Sequence, residues 1–180
     1  MIGRLLAIIL LIITAPIWFL IILIIIIEDG SPVLFKSKRI GEKGREFVFY
    51  KFRTMKKITP LVETSELLDA KRYILKSGVF LRKYSLDEIP NLMNVVLGDI
   101  TIIGYRPSLP NQKTLNVQRM QFGIYNEKPG ITGLAQICGR DMISDRNKIR
   151  YESFYKRKKN IFLDLHILIY TIFSHTKVKH

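Results

Sequence analysis

The chain has 180 residues, of which 48% are apolar, so it accommodates one membrane segment and one domain of about 150 residues but not two full catalytic domains. Lysine and arginine total 29 against 15 acidic residues, and the net charge of +14 favours anionic lipid, nucleic acid or phosphorylated substrates as partners. Cys138 is the only cysteine, which excludes an intramolecular disulfide, and with His166, His175 and His180 it gives no zinc-binding spacing, so zinc-dependent hydrolysis is excluded.

The first predicted element is an apolar helix. From residue 5 to residue 27 the only polar side chain is Thr14, and a helix of that length measures about 34 Å at roughly 1.5 Å per residue, enough to span a bilayer. Residues 28–30 make a poor cleavage site for a signal peptide. Pro16 removes a backbone hydrogen bond and predicts a kink or a break. Two membrane paths are open, a kinked helix that crosses the bilayer and a re-entrant helix with both ends on one face, where Thr14 supplies a bond to the freed backbone.

Basic residues flank this helix unevenly. Arg4 precedes it, and five basic residues follow soon after, namely Lys36, Lys38, Arg39, Lys43 and Arg45. This bias predicts that the main domain lies on the cytoplasmic side. We therefore expect a membrane anchor over residues 1–30 and one main domain over residues 31–180.

A β-hairpin and a helix are predicted next. Residues 33–35 and the alternating residues 47–52 flank a turn signal at residues 41–44, which is typical of two short strands. From about residue 66 to residue 83 the apolar positions follow a helical period, with an interruption near Gly78. Arg82 stands at the end of this helix and is a candidate to hold a phosphate, with a generic surface arginine as the alternative.

The stretch from Ser85 to Asn91 places two adjacent carboxylates, Asp87 and Glu88, in an otherwise basic protein. Ser85 followed three residues later by Glu88 is a capping-box pattern at the start of a helix, and Asp87 is an alternative cap because Pro90 blurs the start. The structural interpretation is that Glu88 only caps the helix. The functional interpretation is that Asp87, ionised at the positive end of a helix where a phosphate also binds, is a nucleophile.

Two further segments carry candidate ligand-binding residues. Residues 98–107 predict a short buried strand and a turn that presents Arg106, whose planar guanidinium suits a phosphate. Residues 128–141 predict a tight glycine-rich loop able to approach a nucleotide closely, although they form neither a P-loop nor a G-x-G-x-x-G motif.

The C-terminal region contains a second apolar segment. Residues 161–173 are too short to span a bilayer. Basic residues 156–159 precede them, and Lys177 and Lys179 follow. This pattern favours a helix in the membrane interface over the alternative, a buried core helix.

In their order along nearly the whole chain, these motifs resemble the bacterial sugar transferases, the small monotopic phosphoglycosyl transferases. The resemblance is carried by the apolar N-terminal helix and by residues 51–55 (KFRTM), 85–90 (SLDEIP), 98–99 (GD), 104–107 (GYRP), 128–136 (KPGITGLAQ), 139–140 (GR) and 163–165 (LDL). Where the family has Ser-Pro at the helix break and G-P-R-P before the phosphate site, this chain has Ala15-Pro16 and a tyrosine, Tyr105.

The resemblance implies an α+β fold, mostly helical with a short β-hairpin. An N-terminal re-entrant membrane helix broken near Pro16 would precede a cytoplasmic catalytic domain with interfacial amphipathic helices. The protein would be monotopic in the bacterial inner (cytoplasmic) membrane, with its catalytic domain on the cytoplasmic face.

The resemblance also implies a reaction, the transfer of a sugar-1-phosphate from a UDP-sugar to polyprenyl (undecaprenyl) phosphate with release of UMP and a requirement for Mg²⁺. This is the initiating step of bacterial surface glycan assembly (capsule, O-antigen, exopolysaccharide or glycoprotein). Asp87 would attack the β-phosphorus and form a phosphosugar-aspartyl intermediate, and Glu88 would hold the metal with Asp87 or act as a base. Other residues would bind phosphate (Arg106, Arg82 and Lys51), line the nucleotide side (Gln136, Gly139 and Arg140), or be either catalytic or a helix-surface carboxylate (Asp164).

A different class of function is a non-catalytic, membrane-tethered protein that binds lipid or nucleic acid through its positive charge. Nucleic-acid recognition normally shows a recognised module or a basic stripe with aromatic stacking, and the sequence contains no such module. We therefore expect a UDP-sugar, polyprenyl phosphate and anionic lipid of the cytoplasmic leaflet as partners, and no nucleic acid. A homodimer is left open.

Overall fold

The computed structural model describes residues 2–60, 69–139 and 143–174. Its helices and strands are α1 (Ile2–Asp29), β1 (Leu34–Ile40), β2 (Glu46–Phe52), α2 (Lys76–Lys83), α3 (Asn91–Leu97), β3 (Thr101–Ile103), α4 (Lys113–Gln121), β4 (Gly130–Thr132), α5 (Leu134–Ile137), α6 (Asp145–Lys158) and α7 (Ile161–Ser174). Single 3₁₀ turns lie at Glu42–Gly44, Ala70–Tyr73, Leu86–Glu88 and Ile124–Asn126. The predicted α+β fold, mostly helical with a short β-hairpin, is confirmed.

Helix α1 runs unbroken through Pro16, so of the predicted kink or break the break is wrong, and a kink stays a prediction. Proline removes one N–H donor and leaves the bonds of the neighbouring turns in place. Thr14 donates its hydroxyl to the carbonyl oxygen of Leu10 at 2.7 Å within the same helix. By length and composition α1 is able to cross a bilayer, and the re-entrant path stays a prediction.

Both halves of α1 pack against the rest of the protein. Ala7, near its start, is fully buried in a cluster with residues from β2, α3 and the turn before β3. Ile21 and Ile25, near its end, are buried in a second cluster with residues of β2 and α2. Trp18 meets Phe52 edge to face, with ring centroids 5.0 Å apart. The helix therefore stays in contact with the domain along its length.

The last turn of α1 carries two carboxylates that bind the domain directly. Glu28 accepts hydrogen bonds from the backbone N–H groups of Lys76 (2.5 Å) and Ser77 (3.1 Å), at the start of α2. Asp29 forms an ion pair with Arg53, which is buried and also donates to backbone carbonyl oxygens on both sides of the junction. No flexible linker separates the anchor from the domain along these contacts.

The strands form two small sheets in the described part of the chain. β1 and β2 pair antiparallel, with Leu34 opposite Phe52, which confirms the predicted hairpin. β3 and β4 pair parallel, with Thr101 opposite Gly130. The second pairing fixes the position of the segment after β3, where the sequence predicts a phosphate-binding arginine.

The helix predicted from about residue 66 to residue 83 is described from residue 69 onward, and it is divided. A 3₁₀ turn at Ala70–Tyr73 is followed by α2, so the interruption predicted near Gly78 falls before Lys76, and Gly78 itself lies inside α2. A Cβ atom at Gly78 would come within 2.3 Å of the backbone oxygen of Thr54. Glycine is therefore needed here for close packing of α2 against the end of β2.

Helix α7 packs on β4 through a narrow face. Ile167 is fully buried, and the hydroxyl groups of Thr171 and Thr132 lie 2.7 Å apart. Most of its apolar side chains are exposed, namely Ile161, Phe162, Leu165, Ile169, Tyr170, Ile172 and Phe173. This exposure excludes the buried-core alternative, because a core helix is covered on all sides. A position in the membrane interface stays a prediction.

Candidate active site

Asp87 and Glu88 lie in the single 3₁₀ turn Leu86–Glu88, which we call the acidic turn. Ser85 precedes it in the left-handed region (φ +53°), and its side chain makes no capping hydrogen bond. The predicted capping box is therefore wrong. Helix α3 starts only at Asn91, so the two carboxylates precede the helix and do not cap it.

Glu88 is held by two cations from distant parts of the chain. Lys51 Nζ, in β2, lies 2.6 Å from Glu88 Oε1, and Arg106 Nη2, after β3, lies 3.2 Å from the same oxygen. Burial acts to raise the pKa of Glu88, but Arg106 and Lys51 together outweigh it and lower the pKa to about 2. Glu88 is therefore a carboxylate throughout the neutral range.

Asp87 is the less compensated of the two acids. It is 8% exposed, and its Oδ2 lies 3.9 Å from Lys51 Nζ. Burial raises the pKa of Asp87 and the charge of Glu88 adds to this effect, whereas Lys51 and Arg82 act in the opposite direction. Arg82 comes from the last turn of α2, where its Nε donates to Thr54 Oγ1 at 2.9 Å.

The structure thus brings together three segments that are far apart in sequence around the acidic turn. They supply the predicted phosphate ligands Lys51, Arg82 and Arg106. The buried Asp87 and the partly buried Glu88, beside three cations, form a candidate site for phosphate groups with a candidate nucleophile.

Comparison with known proteins decides the family. The model of the family described as bacterial sugar transferase matches residues 1–178. The chain belongs to the bacterial sugar transferase family. The predicted enzyme class, a sugar transferase of this kind, is confirmed.

Relatives of this sugar transferase fall into two sizes. The uncharacterized sugar transferase EpsL of Bacillus subtilis is 40% identical over 166 residues, which cover 92% of this chain and 81% of EpsL. The exopolysaccharide production protein ExoY of Sinorhizobium fredii is 32% identical over 184 residues, which cover 93% of this chain and 80% of ExoY. The UDP-glucose:undecaprenyl-phosphate glucose-1-phosphate transferase of Klebsiella pneumoniae is 33% identical over 174 residues, which cover 91% of this chain but 37% of that protein.

The residues predicted on the nucleotide side of this sugar transferase lie around α5. Gln136 Nε2 donates to the backbone oxygen of Ile131 at 2.9 Å, and Gly139 follows the helix. Within the described chain neither residue hydrogen-bonds to the acidic turn. Arg140 lies outside the described residues, and the nucleotide-binding role of all three stays a prediction.

Strand packing explains two of the three glycines of residues 128–141, namely Gly130 and Gly133. A Cβ atom at Gly130 would lie 2.1 Å from the backbone nitrogen of Gly104. A Cβ atom at Gly133 would lie 1.8 Å from the backbone oxygen of Gly104. These glycines let the segment around β4 lie against the end of β3. Their presence is accounted for without a nucleotide.

Asp164 serves a structural contact. It accepts a hydrogen bond from Tyr155 Oη at 2.7 Å, which joins α6 to the first turn of α7. The contact differs from both sequence-based interpretations, catalytic residue and solvated surface carboxylate. A catalytic contribution of Asp164 stays a prediction.

Sequence reasoning missed the residues that support the arginine after β3. Arg119 and Glu152 form a buried ion pair with bonds of 2.9 and 2.5 Å, and the Arg119 guanidinium lies 4.9 Å from the centre of the Tyr105 ring. Tyr105 directly precedes Arg106, so this pair fixes the segment that reaches Glu88. The available signal was the tyrosine itself, since a large aromatic residue in place of the family's proline requires a packing partner.

The donor set around the acidic turn is compatible with a divalent metal. Among the described residues no group of three or more His, Cys, Asp or Glu side chains is placed to hold a metal ion. Mg²⁺ usually binds through one or two carboxylates together with substrate phosphates and water. Asp87 and Glu88 are adjacent carboxylates of this kind and fit such a site.

Proposed function

We propose that this sugar transferase moves a sugar-1-phosphate from a UDP-sugar to polyprenyl phosphate, giving polyprenyl-diphosphate-sugar and UMP. The observation that carries the proposal is the acidic turn, where the buried Asp87 carboxylate stands next to Glu88, which Lys51 and Arg106 already neutralise. The Klebsiella relative is named for this reaction with glucose. The product is a lipid-linked monosaccharide, so the enzyme would begin the assembly of a surface glycan.

The proposed chemistry has two displacements at one phosphorus. In the first, an Asp87 oxygen bonds to the β-phosphorus while the bond from that phosphorus to the bridging oxygen breaks, so UMP leaves and a phosphosugar-aspartyl intermediate remains. In the second, an oxygen of polyprenyl phosphate attacks the same phosphorus and releases Asp87. A carboxylate nucleophile divides one difficult step into two easier ones. Lys51 and Arg82 favour the ionised form of Asp87 that this attack requires.

Phosphate binding in this mechanism uses the cations that hold Glu88. The Arg106 side chain is 32% exposed, more than Lys51 at 18%, so an incoming diphosphate reaches Arg106 first. The guanidinium has several N–H groups and can bind Glu88 and a phosphate oxygen together. Glu88 would then orient Arg106, and of its two predicted roles metal binding suits it better than that of a base, because a carboxyl with a pKa of about 2 accepts a proton weakly.

Mg²⁺ is the proposed cofactor. Glu88 Oε1 is occupied by Lys51 and Arg106, so Glu88 Oε2 and the Asp87 carboxylate are the oxygens that fit the ion. When bound, Mg²⁺ offsets negative charge on the diphosphate. Asp87 and Glu88 would hold it together with oxygens of the substrate.

The function is tested with purified protein in detergent, polyprenyl phosphate, Mg²⁺ and a panel of UDP-sugars. We expect UMP release with at least one UDP-sugar, matched by an equal amount of lipid-linked sugar phosphate. EDTA should stop the release and added Mg²⁺ should restore it. No UMP from any member of the panel would contradict the proposal, and the member that reacts identifies the sugar.

We propose further that both ends of α1 face the cytoplasm. Ala7 and Ile25, near opposite ends of the helix, are both packed against the domain. Arg4 reaches the C-terminal end of α3, because a Cβ atom at Gly98 would lie 2.0 Å from its Nη2. A helix that crossed the bilayer would carry its first turn to the far side, away from these contacts.

Cysteine labelling tests this topology. Cys138 is exposed and reports on the domain, and Ile2→Cys in a Cys138→Ser background reports on the N-terminus. With a membrane-impermeant maleimide we expect neither cysteine to react in intact cells and both to react after permeabilisation. Labelling of Ile2→Cys in intact cells while Cys138 stays protected would show that α1 crosses the membrane.

A further inference from the structure

Asn91, the last residue of the stretch that contains the acid pair, has a buried side chain that the fold does not use. It is 0% exposed, and among the described residues neither its Oδ1 nor its Nδ2 has a hydrogen-bond partner. A buried amide without partners destabilises a folded protein, whereas an apolar side chain of the same shape does not. Stability alone therefore does not explain an asparagine at this position.

Backbone geometry places Asn91 on the same side as the acids. Ile89 (φ −52°, ψ −38°) and Pro90 (φ −59°, ψ −19°) continue the right-handed turn from the acidic turn into α3. Side chains three or four residues apart share a helix face, so Asn91 lies on the face of Asp87 and Glu88.

That face is directed at β2. Glu88, three residues before Asn91, bonds to Lys51, and Asn94, three residues after it, bonds to the backbone of Tyr50. Asn91 therefore lies between the acid pair and a fixed contact with β2.

Asn94 provides the comparison within the same helix, since it is also 0% exposed. Its Nδ2 donates to Val48 O at 2.6 Å and to Asp99 Oδ2 at 3.0 Å, and its Oδ1 accepts from the backbone N–H of Tyr50 at 3.3 Å. The fold thus accounts for the amide of Asn94 and leaves that of Asn91 unexplained.

We propose that Asn91 is a positioning residue for the reaction. In the substrate-bound enzyme its Nδ2 donates to one oxygen of the Asp87 carboxylate and so directs the other oxygen at the phosphorus. This inference rests on the proposed function of Asp87. It assigns the buried amide to catalysis, where a misplaced nucleophile lowers the rate although substrate still binds.

The test compares stability and activity across three variants, Asn91→Leu, Asn91→Gln and Asn94→Leu. For thermal midpoints in detergent we expect Asn91→Leu to equal or exceed wild type, and Asn91→Gln to fall slightly because its extra methylene is buried. Asn94→Leu should be clearly less stable, since it leaves backbone groups of β2 unpaired. For kcat we expect Asn91→Leu to lose about 10- to 100-fold with KM for the UDP-sugar unchanged. Asn91→Gln, which keeps the amide, should exceed Asn91→Leu.

If Asn91 had a purely structural role, its two variants would rank in the same order by thermal midpoint and by kcat. The proposal requires that they rank in opposite orders. Wild-type kcat in Asn91→Leu, as expected if the amide only holds a buried water, overturns the proposal. A thermal midpoint of Asn91→Leu that falls as far as that of Asn94→Leu also overturns the proposal. Absence of UMP release from the wild-type protein would instead contradict the proposed function, so the two failures are distinguishable.

Discussion

An Asp87→Asn variant is expected to lose UMP release by at least about 1,000-fold while remaining folded, because the neutral amide cannot form the bond to phosphorus. Burial raises the pKa of Asp87 above its ordinary value of 3.8, so the folded protein holds this proton more tightly than the unfolded chain does. The charge therefore lowers stability as the pH rises through the folded pKa. We expect the variant to be at least as stable as wild type at pH 7.

The experiment measures UMP release and the thermal midpoint in the same preparation. Asp145→Asn is the matched control, since it makes the same chemical change at a half-buried residue of α6 whose ion pair among the described residues is with Lys148. It should keep both activity and midpoint. An Asp87→Asn variant with more than a few per cent of wild-type activity would remove Asp87 from the role of nucleophile.

The second large effect is expected from Lys51→Met. Lys51 contacts both acids, so its loss leaves Glu88 with Arg106 and leaves Asp87 with Arg82 as its remaining favourable charge. We expect kcat to fall about 100- to 1,000-fold, a range typical for removing one electrostatic contact from an active site. Stability should fall by about 1–3 kcal/mol, because a charged hydrogen bond to the partly buried Glu88 carboxylate is lost.

The second prediction also includes a shift of the pH profile of activity in a stated direction. Lys51 lowers the pKa of Asp87, so without it the pKa rises, and activity that needs the ionised form should be lost at a higher pH than in wild type. Lys38→Met is the control, because it makes the same charge change in the same hairpin at an exposed pair with Glu46. Its stability should stay within about 1 kcal/mol of wild type. An unshifted acid limb in Lys51→Met would contradict the assigned contact.

The acid pair and its cations could be identified from the sequence as candidate site residues, because charged residues in a short motif indicate a chemistry without knowledge of the fold. Which cation contacts which acid could not be predicted. The capping-box prediction failed because Ser85 and Glu88 match a local pattern, while Lys51 and Arg106 reach Glu88 across 37 and 18 residues of sequence. Lys51 and Arg106 reach the same oxygen of Glu88 only because β2 packs against the acidic turn and the segment after β3 lies beside it.

The glycines show the same limit for the fold. From local backbone alone the sequence predicts an interruption near Gly78, a turn at Gly104 and a loop at Gly130, whereas in the structure each glycine allows close approach to another segment. Steric need of this kind depends on a partner that sequence spacing does not reveal. By contrast, the hairpin was predictable, because alternation and a turn signal are local.

The two acids at the end of α1 could have been predicted from the sequence to bind residues outside the helix. Carboxylates at a helix C-terminus oppose the helix dipole, so Glu28 and Asp29 called for partners outside the helix. They have them, in the start of α2 and in Arg53.

If α1 lies in the membrane as we propose, these contacts would set the height of the active site above the bilayer. Asp29 binds Arg53, the neighbouring Thr54 binds Arg82, and Arg82 lies close enough to Asp87 to affect its charge. Short, buried contacts of this kind do not stretch, so the nucleophile keeps a constant distance from the end of the membrane helix. The acceptor phosphate of the proposed reaction is attached to a lipid and would stay near one depth in the membrane, so nucleophile and acceptor would meet at that depth. A change in bilayer thickness would displace α1 and the nucleophile together.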